Sequence, residues 1–301
     1  MDGAALLHLG IVNNEGENKK RDTLLKIVDY TSTAFGKRMM KKWVCNPLTC
    51  KKEIEERLES VADFLEQTML VKELKSEMKE LGDLERMIMR LHSSPSLLSY
   101  SLFFSILESL EKIGSLFTHT LSPSQLSSLF RSPYLLKRLR LGGEGGIDNF
   151  VPLLSLFKYH KVIDQDNKKK GKIVGMKPAL GIHLEYDQIE EEKKKYEEEL
   201  EEYLNQVKSF FKNQSIKFST LANCQNLIEV PVKSIKKKLP DGFELVKSMK
   251  QVNRYKSKTA QSILQNISHL NQKLSLIQQQ LLQQASSLFD SHHNTWVFLF
   301  T

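Results

Sequence analysis

A cluster of basic side chains late in the chain is the sequence feature with the clearest chemical consequence. Residues 233–258 hold nine lysines and arginines against two carboxylates, a net charge of +7, close to the +8 of the whole chain. Clustered cations neutralise the phosphates of a nucleic acid, and the released counterions supply the affinity. The cluster therefore predicts contact with a phosphate backbone, and a solvated loop without a binding role is the alternative. The basic residues are Lys233, Lys236, Lys237, Lys238, Lys247, Lys250, Arg254, Lys256 and Lys258.

The sequence contains no recognisable catalytic constellation, so we expect no enzyme and no bound cofactor in this chain. A phosphate-binding loop needs a G-x-x-x-x-G-K-[ST] pattern. The pair Gly36-Lys37 is followed by Arg38, and Gly171-Lys172 by Ile173, so both pairs fail the pattern. The tail pair His292-His293 shows no cysteine or acidic partner at metal spacing, so we expect no metal site.

Composition places the chain among folded globular proteins. The 301 residues are 40% hydrophobic and 27% charged, which argues against disorder and against a membrane protein. No apolar stretch approaches the ~20 residues that span a bilayer, and no signal peptide is recognisable at the start. Cys45, Cys50 and Cys224 are odd in number and irregularly spaced, which favours reduced thiols in an intracellular protein.

Two long helices must position the basic cluster. The first has one heptad seam at Ile189, Tyr196, Tyr203 and Phe210 and a second at Leu200 and Val207. The returning helix has an unbroken pattern that starts at Ile263. Heptad patterns in two arms predict an antiparallel helical hairpin. The seam residues of the second arm are Ile263, Leu270 and Ile277, with Ile267, Leu274, Leu281 and Leu288.

The segment between the arms has the alternation of β-strands. We expect strands at residues 216–220, at 227–232 and at 243–249, with Pro231 favouring an edge position for the second strand. Leu239-Pro240-Asp241-Gly242 predicts a turn. A small β module at the tip of the hairpin follows. Three aromatic side chains there, which are Phe218, Phe243 and Tyr255, fit the module's core better than stacking on bases.

The first part of the chain is predicted to be a set of amphipathic helices. Residues 22–45 suggest two helices with a bend, and Thr49 is placed to cap the next helix. The apolar stripe of that helix is Ile54, Leu58, Val61 and Leu65, and further stripes cover 69–91 and 97–118. Residues 141–149 are predicted to form a flexible loop, and residues 164–175, which include the lysines at 168–170, are predicted to be exposed.

One segment of this helical part resembles the MutS family of DNA mismatch repair proteins. The run from Asp29 to Leu48 (DYTSTAFGKRMMKKWVCNPL) is similar to the family pattern D-x-T-x-T-x-F-G-x-R-x-L-x-x-W-L-x-x-P-L, which opens its lever domain. The segments EIEERLESVAD, GDLER and GIHLEYDQ, and the spacing of E-V-P, L-P and N-R-Y after residue 228, continue the resemblance. It covers residues 1–296 and is strongest to the eukaryotic branch of sixth MutS homologues.

The resemblance implies a mainly α fold, in which a lever helical bundle bears a long antiparallel helical hairpin with a small β clamp module. It implies that residues 1–183 form the first part of the lever domain and that residues 184–258 form the clamp domain. Residues 259–301 are then the returning lever helix and a divergent tail. The family's mismatch-reading, connector and ATPase domains are expected to lie outside this chain, so ATP and magnesium are implied only for the absent ATPase domain.

By resemblance, the expected function is non-specific binding of the duplex DNA backbone within a nuclear mismatch repair protein, with a second MutS homologue as partner subunit. A coiled-coil protein-interaction module and a non-functional truncated fragment are the alternatives. No membrane association is expected. The residues expected to contact phosphates are Lys236, Lys238, Lys247, Ser248, Lys250, Asn253, Arg254 and Lys258.

Overall fold

The structure is a computed structural model of the 301-residue chain. It describes residues 2–12, 23–94, 99–120, 123–140, 150–163, 172–221, 224–235 and 242–298. The chain divides into two compact units, one formed by Met1–Val174 with Leu282–Thr301 and the other by Gly175–Leu281. None of the helices in the described ranges is long and apolar enough to cross a membrane.

The first unit is built mainly from helices, as the sequence predicts. The bend expected within residues 22–45 is confirmed, because α2 and α3 are separate helices. A single π-helical turn, Leu116–Thr120, follows α7. The helices are α1 (Gly3–His8), α2 (Leu24–Val28), α3 (Ala34–Cys45), α4 (Lys51–Glu66), α5 (Thr68–Lys79), α6 (Leu84–Ser93), α7 (Tyr100–Ser115), α8 (Pro123–Leu129), α9 (Pro133–Leu139) and α10 (Val151–Leu154).

Aromatic side chains fill the centre of the first unit. Phe103 of α7 is fully buried beside Phe289, which lies near the end of helix α12 (Lys258–Ser291). Phe289 in turn stacks on Trp296 of α13 (His293–Phe298), with ring centroids 4.5 Å apart. The indole Nε1–H of Trp296 donates to the Phe289 carbonyl at 2.7 Å, so this buried polar group is satisfied. The end of α12 is therefore fixed into the core of this unit.

Arg38 joins α3 to the start of α6. Its guanidinium donates to both carboxylate oxygens of Asp83, at 2.9 and 2.5 Å, and its Nε donates to Glu85 at 2.7 Å. These hydrogen bonds lower the pKa of Asp83 and raise that of Arg38 above its usual range. Arg38 and Asp83 stand in the segments F-G-K-R and G-D-L-E-R, so the pairing brings these two segments together in the fold.

One expectation for the first part of the chain is wrong, and two others are refined. Thr49 does not cap α4, because the helix begins one residue later and its N-cap is Cys50, which makes no side-chain cap hydrogen bond. The helical stripes predicted over 69–91 are confirmed as two helices, α5 and α6, with a break between Lys79 and Leu84. Of the segment 164–175, which is expected to be exposed, residues 172–175 are described: Lys172 and Val174 are exposed, Gly175 is buried, and the strand Ile173–Pro178 begins there. The loop predicted at 141–149 and the lysines at 168–170 lie outside the described residues.

The apolar stripe of α4 does not face the core. Ile54 is 38% exposed, and Leu58, Val61 and Leu65 are more exposed still. The helix is instead held through Phe64, which packs edge-on against Phe130, and through buried Asp63, which accepts from the backbone N–H groups of Arg131 and Ser132 at 2.9 and 2.7 Å. Sequence periodicity therefore located the helix correctly without indicating whether its apolar face has a partner within this chain.

The second unit contains the helical hairpin predicted from the heptads. Its first arm is α11 (Leu184–Phe211), and its second arm is the larger part of α12. At one end the Gln278 amide donates to the Tyr186 hydroxyl at 3.2 Å, and at the other Tyr203 and Ser257 share a hydrogen bond of 2.6 Å. The start of α11 thus lies beside the later part of α12, which confirms the antiparallel arrangement.

Burial follows the heptads over most of the hairpin and departs from them at two ends. Ile189 and Val207 of α11 and Leu270 and Ile277 of α12 are buried as predicted. Phe210 is exposed, however, and the next residue Phe211 is buried, because the end of α11 packs on the β module rather than on α12. Leu288 is also exposed, since there α12 turns Ala285 and Phe289 into the first unit's core.

Four antiparallel strands form the β module, which we define as residues 212–257. Their order is β3-β4-β6-β5, so the fourth strand in sequence, which the sequence analysis did not predict, lies inside the sheet. Pro231 ends β4 opposite Val252, and β4 is an interior strand, so its predicted edge position is wrong. The strands β1 (Tyr159–Ile163) and β2 (Ile173–Pro178) form a separate two-stranded sheet. The module's strands are β3 (Lys217–Leu221), β4 (Cys224–Pro231), β5 (Phe243–Ser248) and β6 (Val252–Ser257).

Candidate nucleic-acid interface

One face of the β module packs on the end of α11 and forms a small core. Tyr255 of β6 and Ile228 of β4 are directly paired across the sheet, and both are buried. Phe218 and Phe243 are partly buried against the same cluster, so the prediction that these three aromatics belong to the core is confirmed. The buried members of the cluster are Val207, Phe211, Ile216, Ile228, Val230 and Tyr255.

The opposite face of the sheet holds a row of charged side chains. Residue register pairs Glu229 of β4 with Arg254 of β6, and Arg254 with Lys247 of β5. Residues that are direct cross-strand partners point to the same face. This outer face therefore carries one carboxylate and two cations side by side, on strands whose other face is anchored by the core.

Arg254 forms an ion pair with its neighbour Glu229 in this row. Its Nε and one terminal nitrogen donate to Glu229 Oε1 at 2.9 and 2.7 Å, and the side chains of Arg254 and Glu229 are only 17% and 15% exposed. A charge-assisted pair of this kind is strong, and the carboxylate compensates the cation at close range. Arg254 thus joins two strands, and little of its charge remains for an external phosphate. Sequence reasoning missed Glu229, because only the unpredicted strand β6 brings the two residues together.

Ser248 and Asn253 form a hydrogen-bonded chain within the hairpin β5–β6. The Ser248 hydroxyl donates to the Asn253 side-chain oxygen at 2.8 Å, and the Asn253 amide donates to the Tyr255 hydroxyl at 3.2 Å. The backbone N–H of Met249 also donates to the Val252 carbonyl at 3.1 Å. These bonds hold the turn, and the second amide N–H of Asn253 is the donor that remains for a ligand.

The remaining predicted cations project from the hairpin turn and from the start of α12. Lys247, Lys250 and Lys258 are exposed. Lys258 lies 3.9 Å from Glu244, a well-exposed pair that contributes little. Within the described ranges, Lys247 and Lys250 have no carboxylate partner, and Lys236 and Lys238 lie outside those ranges. The structure thus brings Lys247, Ser248, Lys250 and Asn253 together at one turn and adds Lys233, exposed after β4, to the nearby cations.

A second group of polar side chains lies in the first unit. His92, Asp290 and His293 each place a potential ligand atom within 4.8 Å of the others. The acidic neighbour of His293 stands three residues before it in the sequence and was overlooked, whereas His92 is 198 residues from Asp290 and had no detectable signal. Cys45 is half-buried and Cys50 exposed, and both are free thiols.

Comparison with known proteins identifies the family to which the chain belongs. A family model described as MutS domain III matches residues 4–295. The DNA mismatch repair protein MSH6 of Saccharomyces cerevisiae is 27% identical over 98% of this chain, which covers 22% of the yeast protein. Msh6 of Homo sapiens is 24% identical over 98% of the chain and 23% of its own length. Msh3 of Homo sapiens is 27% identical over 90% of the chain and 23% of its length.

The chain therefore spans less than a quarter of the length of these curated relatives. The matched model extends through both units, including α4, the helical hairpin, the β module and all of α12. These matches confirm the resemblance based on the segment from Asp29 to Leu48. With a family model that covers residues 4–295, the chain belongs to the MutS family and matches its domain III.

Proposed function

We propose that this chain binds the backbone of duplex DNA without sequence preference, as the lever and clamp portion of a MutS-type mismatch repair protein. The observation that carries the proposal is the pair of exposed cations Lys247 and Lys250, which have no carboxylate partner among the described residues, at the turn of a core-anchored hairpin. Such cations are accessible to phosphates and neutralise them, and the counterions released from the DNA supply the affinity. The names of the relatives, which are DNA mismatch repair proteins, support the same function.

The wider role rests on the relatives. We propose a nuclear location and assembly with a second MutS homologue subunit, on the strength of the matches to Msh6 and Msh3. We propose ATP and magnesium only as ligands of the family's ATPase domain. No described residue of this chain is assigned to that domain. The chain's own contribution is the binding surface of the hairpin and the helices that hold it.

A protein-interaction module is the second candidate, and α4 is the observation that favours it. Leu58, Val61 and Leu65 are 62%, 55% and 70% exposed at helical spacing. An unpartnered apolar helix face of this kind is typical of a protein contact. The two candidates differ in salt dependence, because apolar contacts do not weaken as salt screens charges.

Salt titration of DNA binding tests the first candidate. We expect weak affinity, on the order of 10⁻⁴–10⁻⁶ M at physiological salt, with log affinity falling linearly with log salt. Changing Lys247 and Lys250 together to Ala should flatten the slope by about 1.8 if each contacts one phosphate. The matched control is Lys72→Ala with Lys75→Ala, which removes two exposed cations from α5 and should leave the slope unchanged.

The outcomes separate the candidates. Similar losses on matched and mismatched duplexes are expected, because backbone contacts carry no sequence information. Equal slopes for the wild-type chain and the Lys247/Lys250 variant would show that the hairpin lysines are only solvated surface. A loss confined to mismatched DNA would show that the hairpin reads the lesion itself.

A further inference from the structure

We propose that His92, Asp290 and His293 form a binding site for a divalent transition metal ion of the zinc type. The three residues come from three elements: the last turn of α6, the end of α12 and the first residue of α13. This site is independent of the proposed DNA surface, because it lies in the first unit and the hairpin lies in the second. It also revises the sequence-based expectation that the chain has no metal site.

The geometry brings the three ligand groups almost to coordination distance. The Nδ1 atom of His92 lies 2.6 Å from Asp290 Oδ1, and the rings of His92 and His293 stack with centroids 4.0 Å apart. Bonds of about 2.0–2.2 Å place the ligand atoms of a tetrahedral zinc ion roughly 3.3–3.6 Å apart. The three ligand atoms already lie within 4.8 Å of one another, and because the two imidazole rings are nearly parallel (20°), one ring has to turn until both ring planes meet at the ion.

The backbone that carries these ligands is held by the core. Leu91, the neighbour of His92, is 1% exposed, and so is Phe289, the neighbour of Asp290. Trp296, which is fully buried, stacks on Phe289, and its backbone N–H donates to the His292 carbonyl at 3.3 Å. The turn between α12 and α13 is thereby fixed beside α6. Ligands that are positioned before the ion arrives lose less entropy on binding.

The donor set selects the class of ion. Two imidazoles and one carboxylate suit zinc, cobalt, nickel or copper, whereas magnesium and calcium prefer oxygen ligands alone. Three protein ligands leave the fourth position of a tetrahedral ion to water, and the partial exposure of all three residues is compatible with that. The bound ion would join α6 to the α12–α13 turn.

Cobalt and zinc titrations of the chelator-treated full chain test the proposal. We expect one zinc ion per chain by calorimetry, a higher melting temperature with zinc, and visible cobalt absorption typical of tetrahedral nitrogen and oxygen ligands. His92→Gln and His293→Gln should each weaken zinc binding at least tenfold, and Asp290→Asn should weaken it less. The matched control is His292→Gln, which alters a histidine of the same turn that is not in the group.

Several outcomes would overturn the proposal. Zinc binding that is unchanged in His92→Gln and His293→Gln would place the ion elsewhere. A thiolate-to-cobalt charge-transfer band would show that a cysteine holds it. Absence of a stoichiometric zinc ion in the folded wild-type chain would exclude the site directly, whatever the folding of the variants. Circular dichroism of each variant without metal shows whether a lost affinity reflects the ligand or the fold.

Discussion

Arg254 differs from the lysines around it, although all of them contribute to the same basic cluster. Its hydrogen bonds to Glu229 at 2.9 and 2.7 Å join β4 to β6 on the outer face of the sheet. We expect Arg254→Ala to destabilise the chain by about 1–3 kcal/mol, because the partly buried carboxylate of Glu229 loses its charged partner. Urea unfolding measures this cost.

The same substitution should have little effect on the salt dependence of DNA binding. The compensated charge of Arg254 releases few counterions from DNA, so its loss should flatten the slope by less than Lys247→Ala does. The double variant Glu229→Gln with Arg254→Gln should recover part of the stability, since it removes both charges together. A slope change of about 0.9 with unchanged stability would instead identify Arg254 as a phosphate contact.

Asp83 gives a pH-dependent prediction at the same scale. Hydrogen bonds from Arg38 lower its pKa below the usual value of 3.8, so the pair stabilises the folded chain above that pH and loses its contribution as the pH falls through the lowered pKa. Asp83→Asn should cost about 1–3 kcal/mol at pH 7. The difference from wild type should shrink below about pH 4.

Asparagine suits this test because Asp83 also caps α6, and Asn caps a helix about as well. The substitution therefore isolates the charge. Urea unfolding at pH 7 and pH 3 is the measurement, with Glu73→Gln on the exposed side of α5 as the control. An equal cost in the free energy of unfolding at both pH values would mean that Asp83 stabilises the fold through its shape and not through its charge.

At the scale of elements, the helical hairpin gives the sharpest test. Leu270 and Leu274 of α12 are 3% and 7% exposed in the second unit, whereas Leu276 of the same helix is 60% exposed. Replacing Leu270 or Leu274 by Ala should cost about 2–5 kcal/mol, through lost burial and the cavity left behind. Leu276→Ala should change stability by less than about 0.5 kcal/mol. Comparable costs at all three positions in chemical unfolding would contradict the hairpin packing.

Sequence periodicity predicted most of this hairpin and failed where a helix changes partners. Ile189 and Leu270 follow the heptads because one helix packs against another along that stretch. Phe211 replaces Phe210 in the core where the neighbour becomes a sheet, and periodicity carries no information about such a change.

Sequence analysis also failed to predict a strand and a side-chain group that form between residues distant in the sequence. In the sequence, strand β6 resembles part of a basic loop, because Asn253, Arg254 and Lys256 lack the usual alternation with apolar residues. Its position became evident only from pairing with β4 and β5. The group of His92 with Asp290 and His293 depends on packing across 198 residues. The lysines of the hairpin turn were predictable, since the charge of an exposed side chain does not depend on how the rest of the chain packs.

At the scale of the whole molecule, opposite charges are separated along the sequence of the second unit. Residues 185–202 hold ten acidic side chains and three lysines, a net of −7, while residues 233–258 carry +7. Within α11 the ion pairs are exposed i,i+4 contacts such as Lys194 with Glu198, so they neutralise little beyond themselves. We therefore expect a polyanion to be attracted to the module end of the hairpin and repelled from the acidic part of α11.

This charge separation, together with the lack of a phosphate-binding loop, determines how the chain should respond to nucleotide. Gly36-Lys37 lies in the first turn of α3, where a Thr33 oxygen would lie 2.7 Å from a Cβ on Gly36 and where Arg38 is paired with Asp83. Nothing there cradles a phosphate. We expect no ATP hydrolysis by the pure chain, measured as phosphate release against a buffer control.

ATP with magnesium should then weaken DNA binding only as any multivalent anion does. Inorganic tripolyphosphate at equal ionic strength is the matched control, because it carries the phosphates without the nucleoside. The two additions should shift the salt titration of DNA binding equally, since both act by competing for Lys247, Lys250 and their neighbours. Turnover above the control, or a loss of DNA affinity with ATP that tripolyphosphate does not reproduce, would require a nucleotide site in this chain and contradict the expectation.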